Sequence, residues 1–372
     1  MSSRLMIAGA GSGKTTFLIE EALKIKENMV LITTFTDANE LSIRRAIIQK
    51  HGCIPSNIVI QSWFSFLLQH GIKPYQSYVY DGVIDGLILV NSKSGVKFKS
   101  KTGTVYYKEQ ESGHYISRDQ KIYSDKLSKF VIRVEEKSGG LVSHRIQRLY
   151  PNIFIDEVQD LAGYDLEIIK MLEKAGCNML LVGDPRQVTF HTHEEAKNSN
   201  YNDGKIAEYI EKKCKSIMVD NTTLNSSYRN PPTICQLANQ LYPEMKPCES
   251  KWFPLESDHI GAFLVKSTDV EEYLRKYDAV QLRDSAKKKV NINYNVMNFG
   301  NSKGLTFKHV VIYPTKPIME WLEDRKVILK GQSRAKLYVA ITRAQCSVAF
   351  VTDSNKSIYI PDIPFWDNGK SK

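Results

Sequence analysis

The feature that most constrains this chain is a glycine-rich turn near its beginning, with the sequence AGAGSGKT over Ala8–Thr15. It follows an apolar run typical of a buried strand, Arg4–Ala8, and precedes a helix predicted over Lys14–Lys26. Closely spaced glycines let successive backbone N–H groups turn inward around phosphate oxygens, and a helix start adds partial positive charge. The pattern therefore predicts a phosphate-binding loop in an α/β domain.

The residue types of this loop predict how it would hold a nucleotide. Lys14 is placed to reach the β- and γ-phosphates of ATP, and Thr15 is placed to ligate Mg²⁺. The alternative is a tight glycine turn with an exposed lysine, which the flanking strand and helix disfavour. The nucleotide-binding residues predicted in the loop are Gly9, Ala10, Gly11, Ser12, Gly13, Lys14, Thr15 and Thr16.

An acidic pair later in the chain supplies the remaining groups that nucleotide hydrolysis needs. The apolar strand Asn152–Ile155 ends at Asp156 and Glu157. Asp156 would bind Mg²⁺ together with Thr15, and Glu157 would act as general base on the attacking water. A lone Asp-Glu pair after a strand is also typical of a helix N-cap. Beside a phosphate-binding loop, the pair favours hydrolysis of the nucleotide.

Composition and charge narrow the class of protein. A chain of 372 residues is expected to form two or three domains. The formal net charge of +10 favours a polyanionic partner such as nucleic acid. No apolar run is long enough to span a membrane, and six scattered cysteines indicate reduced thiols. His191 and His193 have no further ligand at zinc spacing, so we expect no zinc site there. Together, these features predict a cytoplasmic protein that is not embedded in a membrane.

Strand-like and helix-like segments alternate on both sides of an irregular central region. This alternation predicts α/β domains with parallel sheets covered by helices. The predicted boundaries are a first lobe over 1–70 and 149–222, an accessory insert over 71–148, a second lobe over 223–360 and a loose tail over 361–372.

The insert carries most of the excess positive charge. Residues 93–148 contain 13 lysines and arginines against 6 acidic residues. We expect irregular hairpins there, with one helix over Asp125–Glu136. Two interpretations stay open: a surface that faces nucleic acid and an ordinary solvated surface.

Eight short motifs occur in one order along the chain: Ala8–Thr16, Thr34–Ala38, Gln61–Phe66, Asp156–Asp160, Val182–Gln187, Leu224–Arg229, Ser302–Phe307 and Tyr338–Ala344. In type and order they resemble motifs I, Ia, Ib and II to VI of the UvrD/Rep-type superfamily 1 helicases. The resemblance covers nearly the whole chain outside the insert. It implies two RecA-like lobes, with a small accessory insert in the first.

The resemblance also implies roles for individual residues. Gln187 would sense the γ-phosphate, while Arg229 and Arg343 would reach across a cleft between lobes to stabilise charge on the transferred phosphate. With Lys14 and Glu157 they form the predicted catalytic set, and Gly304 and Asp156 join the nucleotide site. Candidate DNA contacts are Thr34, Phe35, Ser62, Phe64, Phe190, Asn301 and Ser302. For the three phenylalanines, core packing is the alternative role.

Several departures from the family pattern change what is expected. The few residues before the loop leave no room for the upstream adenine-reading Gln motif, so relaxed base selectivity is predicted. Thr192 stands where relatives carry an aromatic residue, and Thr306 stands where they carry Glu. The span from Arg229 to Lys303 is too short for the domain that relatives insert there.

The sequence thus predicts an ATP-dependent, Mg²⁺-requiring translocase or helicase on single-stranded DNA or a single-strand/duplex junction. The family resemblance implies 3′→5′ movement. The alternative is a regulatory subunit whose nucleotide-driven closure switches a partner such as a nuclease. That alternative follows from similarity to the helicase-like components of bacterial anti-phage systems such as Gabija.

Overall fold

The computed structural model describes residues 2–189, 192, 196–254, 259–353 and 359–367. The chain divides into two compact units. The first comprises Met1–Met6, Lys14–Gly183 and His191–Asp220, and the second comprises Ile7–Gly13, Asp184–Phe190 and Asn221–Lys372. Each unit is built on a parallel sheet, so the predicted α/β class is confirmed.

The first unit holds ten strands and seven α-helices among its described residues. The strands are β1 (Arg4–Ile7), β2 (Val30–Thr34), β3 (Ile58–Ser62), β4 (Gly86–Ile88), β5 (Val96–Ser100), β6 (Gly103–Tyr106), β7 (Lys121–Tyr123), β8 (Asn152–Asp156), β9 (Asn178–Gly183) and β10 (Met218–Asp220). The helices are α1 (Lys14–Lys24), α2 (Asp37–His51), α3 (Trp63–Phe66), α4 (Leu127–Lys137), α5 (Leu141–Leu149), α6 (Tyr164–Lys174) and α7 (Ile206–Lys213).

Six strands of this unit form the main sheet, in the order β10-β1-β9-β8-β2-β3. Strands β2 and β8 are buried along their whole length, as expected for central strands of a parallel sheet. Because the strands are parallel, their carboxyl ends lie at one edge, where ligands bind in open α/β sheets. The phosphate-binding loop follows β1 at this edge, and Asp156 ends β8 there.

The helices that follow β2 and β3 are formed differently. Helix α2 begins after Thr36, whose hydroxyl accepts a hydrogen bond from the Asn39 N–H at 3.1 Å. It ends at Gly52, which takes a φ of +87°. Helix α3 is short and is followed directly by a π-helical turn over Leu67–Ile72.

The accessory insert is more ordered than the sequence indicates. Strands β4 and β7 pair in parallel, while β5 and β6 form an antiparallel hairpin. Helix α4 appears close to its predicted position and packs against α6. Helix α5 was missed because the Gly139-Gly140 pair before it is typical of a loop. Gly140 in fact serves as its N-cap, with a φ of +96°.

The second unit holds seven strands and four α-helices among its described residues. The strands are β11 (Ser226–Ser227), β12 (Glu249–Ser250), β13 (Gly261–Lys266), β14 (Val280–Arg283), β15 (Val296–Asn298), β16 (Phe307–Tyr313) and β17 (Ala344–Thr352). The helices are α8 (Pro232–Asn239), α9 (Val270–Tyr277), α10 (Lys316–Glu323) and α11 (Gly331–Ile341). No helix in the described parts of either unit is long and apolar enough to cross a membrane.

The sheet of the second unit has the order β13-β17-β16-β14-β15, and its pairings are parallel. Residues 364–366 pair with β13 through an isolated parallel bridge between Leu264 and Phe365, where a loose tail was expected. The Leu264 N–H donates to the Pro364 carbonyl at 2.8 Å, and the Trp366 N–H donates to the Leu264 carbonyl at 2.8 Å. Trp366 also packs edge-on against Tyr273. The expectation is wrong here because an aromatic anchor fixes the segment.

A buried histidine lies in an aromatic cluster on one side of this sheet. The His259 ring stacks between Phe263 and Tyr277, with centroid distances of 4.0 and 4.1 Å. Its Nε2 lies 2.7 Å from the Tyr273 hydroxyl, which is in turn 3.0 Å from the Ser347 hydroxyl. Burial lowers the pKa of His259 to about 4, and nearby positive charge acts in the same direction.

We expect this histidine to make stability depend on pH. Its folded pKa lies below the unfolded value of 6.5, so the stabilisation is complete above pH 6.5 and is lost as pH falls toward 4. The His259→Phe variant keeps the stacking and removes the titration. Its free energy of unfolding, measured by urea denaturation from pH 7 to pH 4, should fall less than that of wild type, by about 3 kcal/mol at most. Identical pH dependence in the two proteins would contradict this assignment.

Candidate functional site

The phosphate-binding loop has the backbone that its glycines predict. Gly11 and Gly13 take φ values of +73° and +80°, which other residues rarely adopt. The Ser12 hydroxyl is buried and is without a hydrogen-bond partner among the described residues. Because a buried polar group is costly when unsatisfied, this hydroxyl fits a loop that accepts an additional polar ligand.

Thr15 and Asp156 form the oxygen pair predicted for a magnesium ion. The Thr15 hydroxyl donates to Asp156 Oδ2 at 2.9 Å, and the Glu157 N–H donates to Asp156 Oδ1 at 3.0 Å. Burial and the charge of Glu157 raise the pKa of Asp156 to about 6, while Lys14 opposes the shift. A hydroxyl and a carboxylate fit Mg²⁺, which takes few protein ligands and completes its shell with phosphate and water.

The described ranges contain no group of three or more His, Cys, Asp or Glu side chains that could hold an ion. Binding of Mg²⁺ by Thr15 and Asp156 stays a prediction.

Glu157, the predicted general base, is held in an unusual backbone conformation. Its φ of +54° and ψ of +40° place a non-glycine residue in the left-handed region. Its carboxylate accepts a hydrogen bond from the Gln159 side chain. A side chain at Gly183 would meet Gln159 Oε1 at 2.4 Å, so this glycine leaves space for the arrangement. The half-buried carboxylate of Glu157 is thus held in a fixed orientation next to Asp156.

The segment after β9 contains a fully buried carboxylate that positions the predicted phosphate sensor. Asp184 accepts from Gln187 Nε2 at 2.8 Å and from Arg186 Nε at 2.8 Å. All three side chains are buried. Arg186 also donates to the Ala8 carbonyl at 3.0 Å, which fixes the start of the phosphate-binding loop.

Of the two predicted arginines, Arg343 follows α11 and Arg229 follows β11. Arg343 is 2% exposed and donates to the Leu305 carbonyl at 3.0 Å and to Gln187 Oε1 at 3.3 Å. Arg229 donates to the Thr342 carbonyl at 3.3 Å. Gln187, Arg229 and Arg343 are therefore brought together. Leu305 follows the exposed Gly304, whose role in nucleotide binding stays a prediction.

Two loop amides are already bonded within the second unit. The Gly9 N–H donates to the Leu224 carbonyl at 2.9 Å, and the Ala10 N–H donates to the Tyr338 hydroxyl at 3.3 Å. The Arg186 guanidinium lies 5.3 Å from the centroid of the Tyr338 ring. Arg186 and Tyr338 thus support the loop. Sequence reasoning assigned neither of them a role, although each lies inside a motif that resembles one of the helicase family, Val182–Gln187 for Arg186 and Tyr338–Ala344 for Tyr338.

Four candidate nucleic-acid residues meet at the carboxyl ends of β2 and β3. Thr34 is in register with Ser62, and the rings of Phe35 and Phe64 lie 5.2 Å apart in an edge-to-face arrangement. Both phenylalanines are only partly buried, which fits contact with a ligand better than core packing. The Thr34 hydroxyl is buried and has no hydrogen-bond partner within the described chain.

The other three candidates are placed differently. Phe190 lies outside the described residues. Ser302 is buried, and its hydroxyl donates to the Phe299 carbonyl at 2.7 Å, so this hydroxyl has an internal role. Asn301 beside it is exposed. Their contact with nucleic acid stays a prediction.

Comparison with known proteins gives one family match and two curated relatives. The UvrD/REP helicase N-terminal domain family matches residues 114–207. The RecBCD enzyme subunit RecB of Buchnera aphidicola subsp. Baizongia pistaciae is 22% identical over 246 residues, covering 62% of this chain and 20% of that protein. RecB of Borreliella burgdorferi is 26% identical over 122 residues, covering 30% of this chain and 10% of that protein. The chain spans a fifth or less of the length of these relatives.

Two solved structures of the arterivirus nonstructural protein 10 helicase also match. The complex with DNA has a TM-score of 0.47 and 14% identity, covering 95% of this chain and 62% of that one. The second structure has a TM-score of 0.44 and 15% identity, covering 95% and 60%. The family and RecB matches confirm the resemblance to UvrD/Rep-type helicases that the motif order predicts.

We predict that Gly11→Ala weakens binding of a nucleoside triphosphate at least ~10-fold, measured by calorimetry. An added Cβ would lie 2.6 Å from Arg229 Cβ and 2.6 Å from Ser227 Oγ, at a φ that alanine disfavours.

The matched control is Gly52→Ala. Gly52 has a φ of +87°, and its added Cβ would meet no described atom within 4 Å. It should lower stability by ~1 kcal/mol and leave nucleotide affinity unchanged. Unchanged affinity in Gly11→Ala would contradict the prediction.

Proposed function

We propose that this chain, which is UvrD/Rep-like in sequence, is an ATP-hydrolysing motor that moves 3′→5′ along single-stranded DNA. The observation that carries the hydrolytic part is the Thr15–Asp156 hydrogen bond beside a general base in a fixed conformation. The direction of movement rests on the family resemblance alone. Strand separation at a single-strand/duplex junction would follow from the same movement.

The first unit supplies the groups for the hydrolytic step. Lys14 binds the β- and γ-phosphates, and Thr15 and Asp156 hold Mg²⁺, which neutralises phosphate charge when bound. Glu157 accepts a proton from the attacking water, a role typically worth ~10²–10⁴-fold in rate. The Gln159 hydrogen bond orients the Glu157 carboxylate for this role.

The second unit supplies the groups that respond to the γ-phosphate. Gln187 now bonds to Asp184 and Arg343, and Arg343 bonds to backbone carbonyls. Anionic phosphate oxygens are stronger acceptors for guanidinium groups than neutral amide oxygens. We propose that Arg343 and Arg229 exchange such bonds for phosphate during the reaction, where arginines of this kind contribute ~10³–10⁵ in rate.

The nucleic-acid part of the proposal starts from the residues at the ends of β2 and β3. The half-exposed Phe35–Phe64 pair can stack on bases, and the unpaired Thr34 hydroxyl can donate to a phosphate. Stacking and phosphate contacts are the usual mode of binding single strands without sequence preference.

The β5–β6 hairpin adds a basic surface in the insert. All five residues of β5 are exposed, and Phe98 is 54% exposed. Lys99 and Lys101 are exposed near the hairpin turn, and the sequence from Lys93 to Lys108 contains no acidic residue. Lys97 differs because it forms an ion pair with Glu111 at 2.7 Å. Lys99 and Lys101 therefore present positive charge and suit a phosphate backbone.

The Glu157→Gln variant should remove hydrolysis and keep nucleotide binding. Glutamine preserves the size of the side chain but cannot accept the proton of the attacking water. We expect wild type to show an ATPase rate that single-stranded DNA raises many-fold, and Glu157→Gln to lose at least ~100-fold of it. The measurement is steady-state phosphate release with and without oligo(dT).

The control for that experiment is Glu208→Gln, which changes an exposed carboxylate on α7. It should leave both rates unchanged. A wild-type rate that does not respond to DNA would contradict the motor and would favour the switch of a partner protein. A Glu157→Gln rate equal to wild type would contradict the assignment of the base.

The double variant Lys99→Glu/Lys101→Glu tests the hairpin. Reversing two phosphate-facing charges should weaken DNA binding at least ~5-fold at low salt and reduce the salt slope of log K by ~1–2. The matched control, Lys212→Glu/Lys213→Glu on α7, makes the same change in net charge on an exposed helix. Fluorescence anisotropy of a labelled oligonucleotide measures both. Equal losses in the two double variants would mean that net charge, not the hairpin, determines binding.

A further inference from the structure

A fully buried carboxylate in the first unit has no role in the chemistry above. Asp165 is 0% exposed and is the second residue of α6. Its Oδ1 accepts hydrogen bonds from Trp63 Nε1 at 2.7 Å and from the Ser128 hydroxyl. Its Oδ2 accepts from the Thr192 hydroxyl. Several charged hydrogen bonds and the positive end of a helix are what a buried carboxylate needs to stay ionised.

The three donors come from segments that the sequence assigns to different tasks. Trp63 begins α3, between the candidate nucleic-acid residues Ser62 and Phe64. Ser128 lies in α4 of the accessory insert. Thr192 stands where relatives carry an aromatic residue. Asp165 therefore forms hydrogen bonds to three parts of the chain: α3 beside the candidate nucleic-acid residues, α4 of the insert, and Thr192 after the segment that contains Gln187.

Thr192 extends the connection to the hydrolytic segment. Its N–H donates to the Asp160 carbonyl at 3.1 Å, and its hydroxyl accepts from the Ala162 N–H at 3.0 Å. Asp160 ends the segment that begins with Asp156 and contains Glu157. The hydroxyl of Thr192 is thus both acceptor and donor, so its orientation is fixed from two sides.

We propose that Asp165 is a positioning residue that couples the state of the hydrolytic segment to the affinity of the α3 face for single-stranded nucleic acid. A shift of Asp160 moves Thr192, and Thr192 and Trp63 share one carboxylate. Trp63 and Phe64 are successive residues of α3, so in this proposal a movement of Trp63 reaches Phe64 through the helix backbone. The inference rests on the proposed function, since it assumes that both ligands bind.

The test follows from the reciprocity of coupling between two ligands. Affinity for oligo(dT) is measured with and without a non-hydrolysable ATP analogue, and affinity for the analogue with and without oligo(dT). In wild type we expect both ratios to be equal and ~5-fold or larger. In Asp165→Asn both ratios should fall toward 1.

Asparagine is the informative replacement because it keeps the shape of the side chain. Its carbonyl can still accept from Trp63 and Ser128, while its amide donates toward Thr192 and leaves that hydroxyl proton without its acceptor. Thr192→Val removes the same link from the other end without a buried charge change. A purely structural role would lower stability or both affinities and leave the ratios unchanged.

The matched control is Tyr209→Phe. It removes another buried hydrogen bond to α6, from the Tyr209 hydroxyl to the Leu166 carbonyl at 2.9 Å, outside the proposed connection. Its ratios should equal those of wild type. Wild-type ratios in both Asp165→Asn and Thr192→Val would overturn this inference alone. Ratios of 1 in wild type would overturn it as well, and failure to bind oligo(dT) or the analogue would overturn the proposed function with it.

Discussion

The hydrogen bond from Thr15 to Asp156 joins two residues that are 141 positions apart in the chain. It forms because β1 and β8 belong to one sheet, where β1 leads into the phosphate-binding loop and α1, and β8 ends at Asp156. The residues around it depend on this alignment: Lys14 precedes Thr15, and Glu157 follows Asp156. A shift of either strand by one residue would turn every side chain to the opposite face and separate the hydroxyl from the carboxylate. The order of the sheet is therefore what makes the chemistry available.

Much of this arrangement could be predicted because its signals are local. Glycine spacing determines the loop, apolar runs indicate buried parallel strands, and a carboxylate at a strand end is a candidate magnesium ligand when a phosphate-binding loop accompanies it. The fold class and the Thr15–Asp156 pair follow from such signals. Local signals did not predict helix α5 or the pairing of residues 364–366 with β13. At both places tertiary packing outweighs a local sequence that is typical of loops.

The supporting contacts could not be predicted, since nothing local marks a long-range partner. Asp165 resembles an ordinary acidic residue in the first turn of a helix until the fold places Trp63, Ser128 and Thr192 around it. Arg186 looks like a surface arginine until it bonds to Ala8. Such residues become recognisable only when burial is known, because a buried charge must be compensated.

Asp165 and Asp184 use the same physical device in different units. Each is fully buried, and each collects donors from its surroundings. Burying a carboxylate contributes little net stability, because the cost of taking the charge out of water offsets much of what its hydrogen bonds gain. The charge orients the donors, because charge-assisted hydrogen bonds hold each donor in one direction. Such a donor can still exchange its bond for one to a stronger acceptor. At Asp184 the oriented group is Gln187, the proposed phosphate sensor, and at Asp165 it is the indole of Trp63 beside the proposed nucleic-acid contacts. The proposed motor needs side chains that are held firmly and can still exchange partners, and buried carboxylates supply both properties where an apolar core would supply neither.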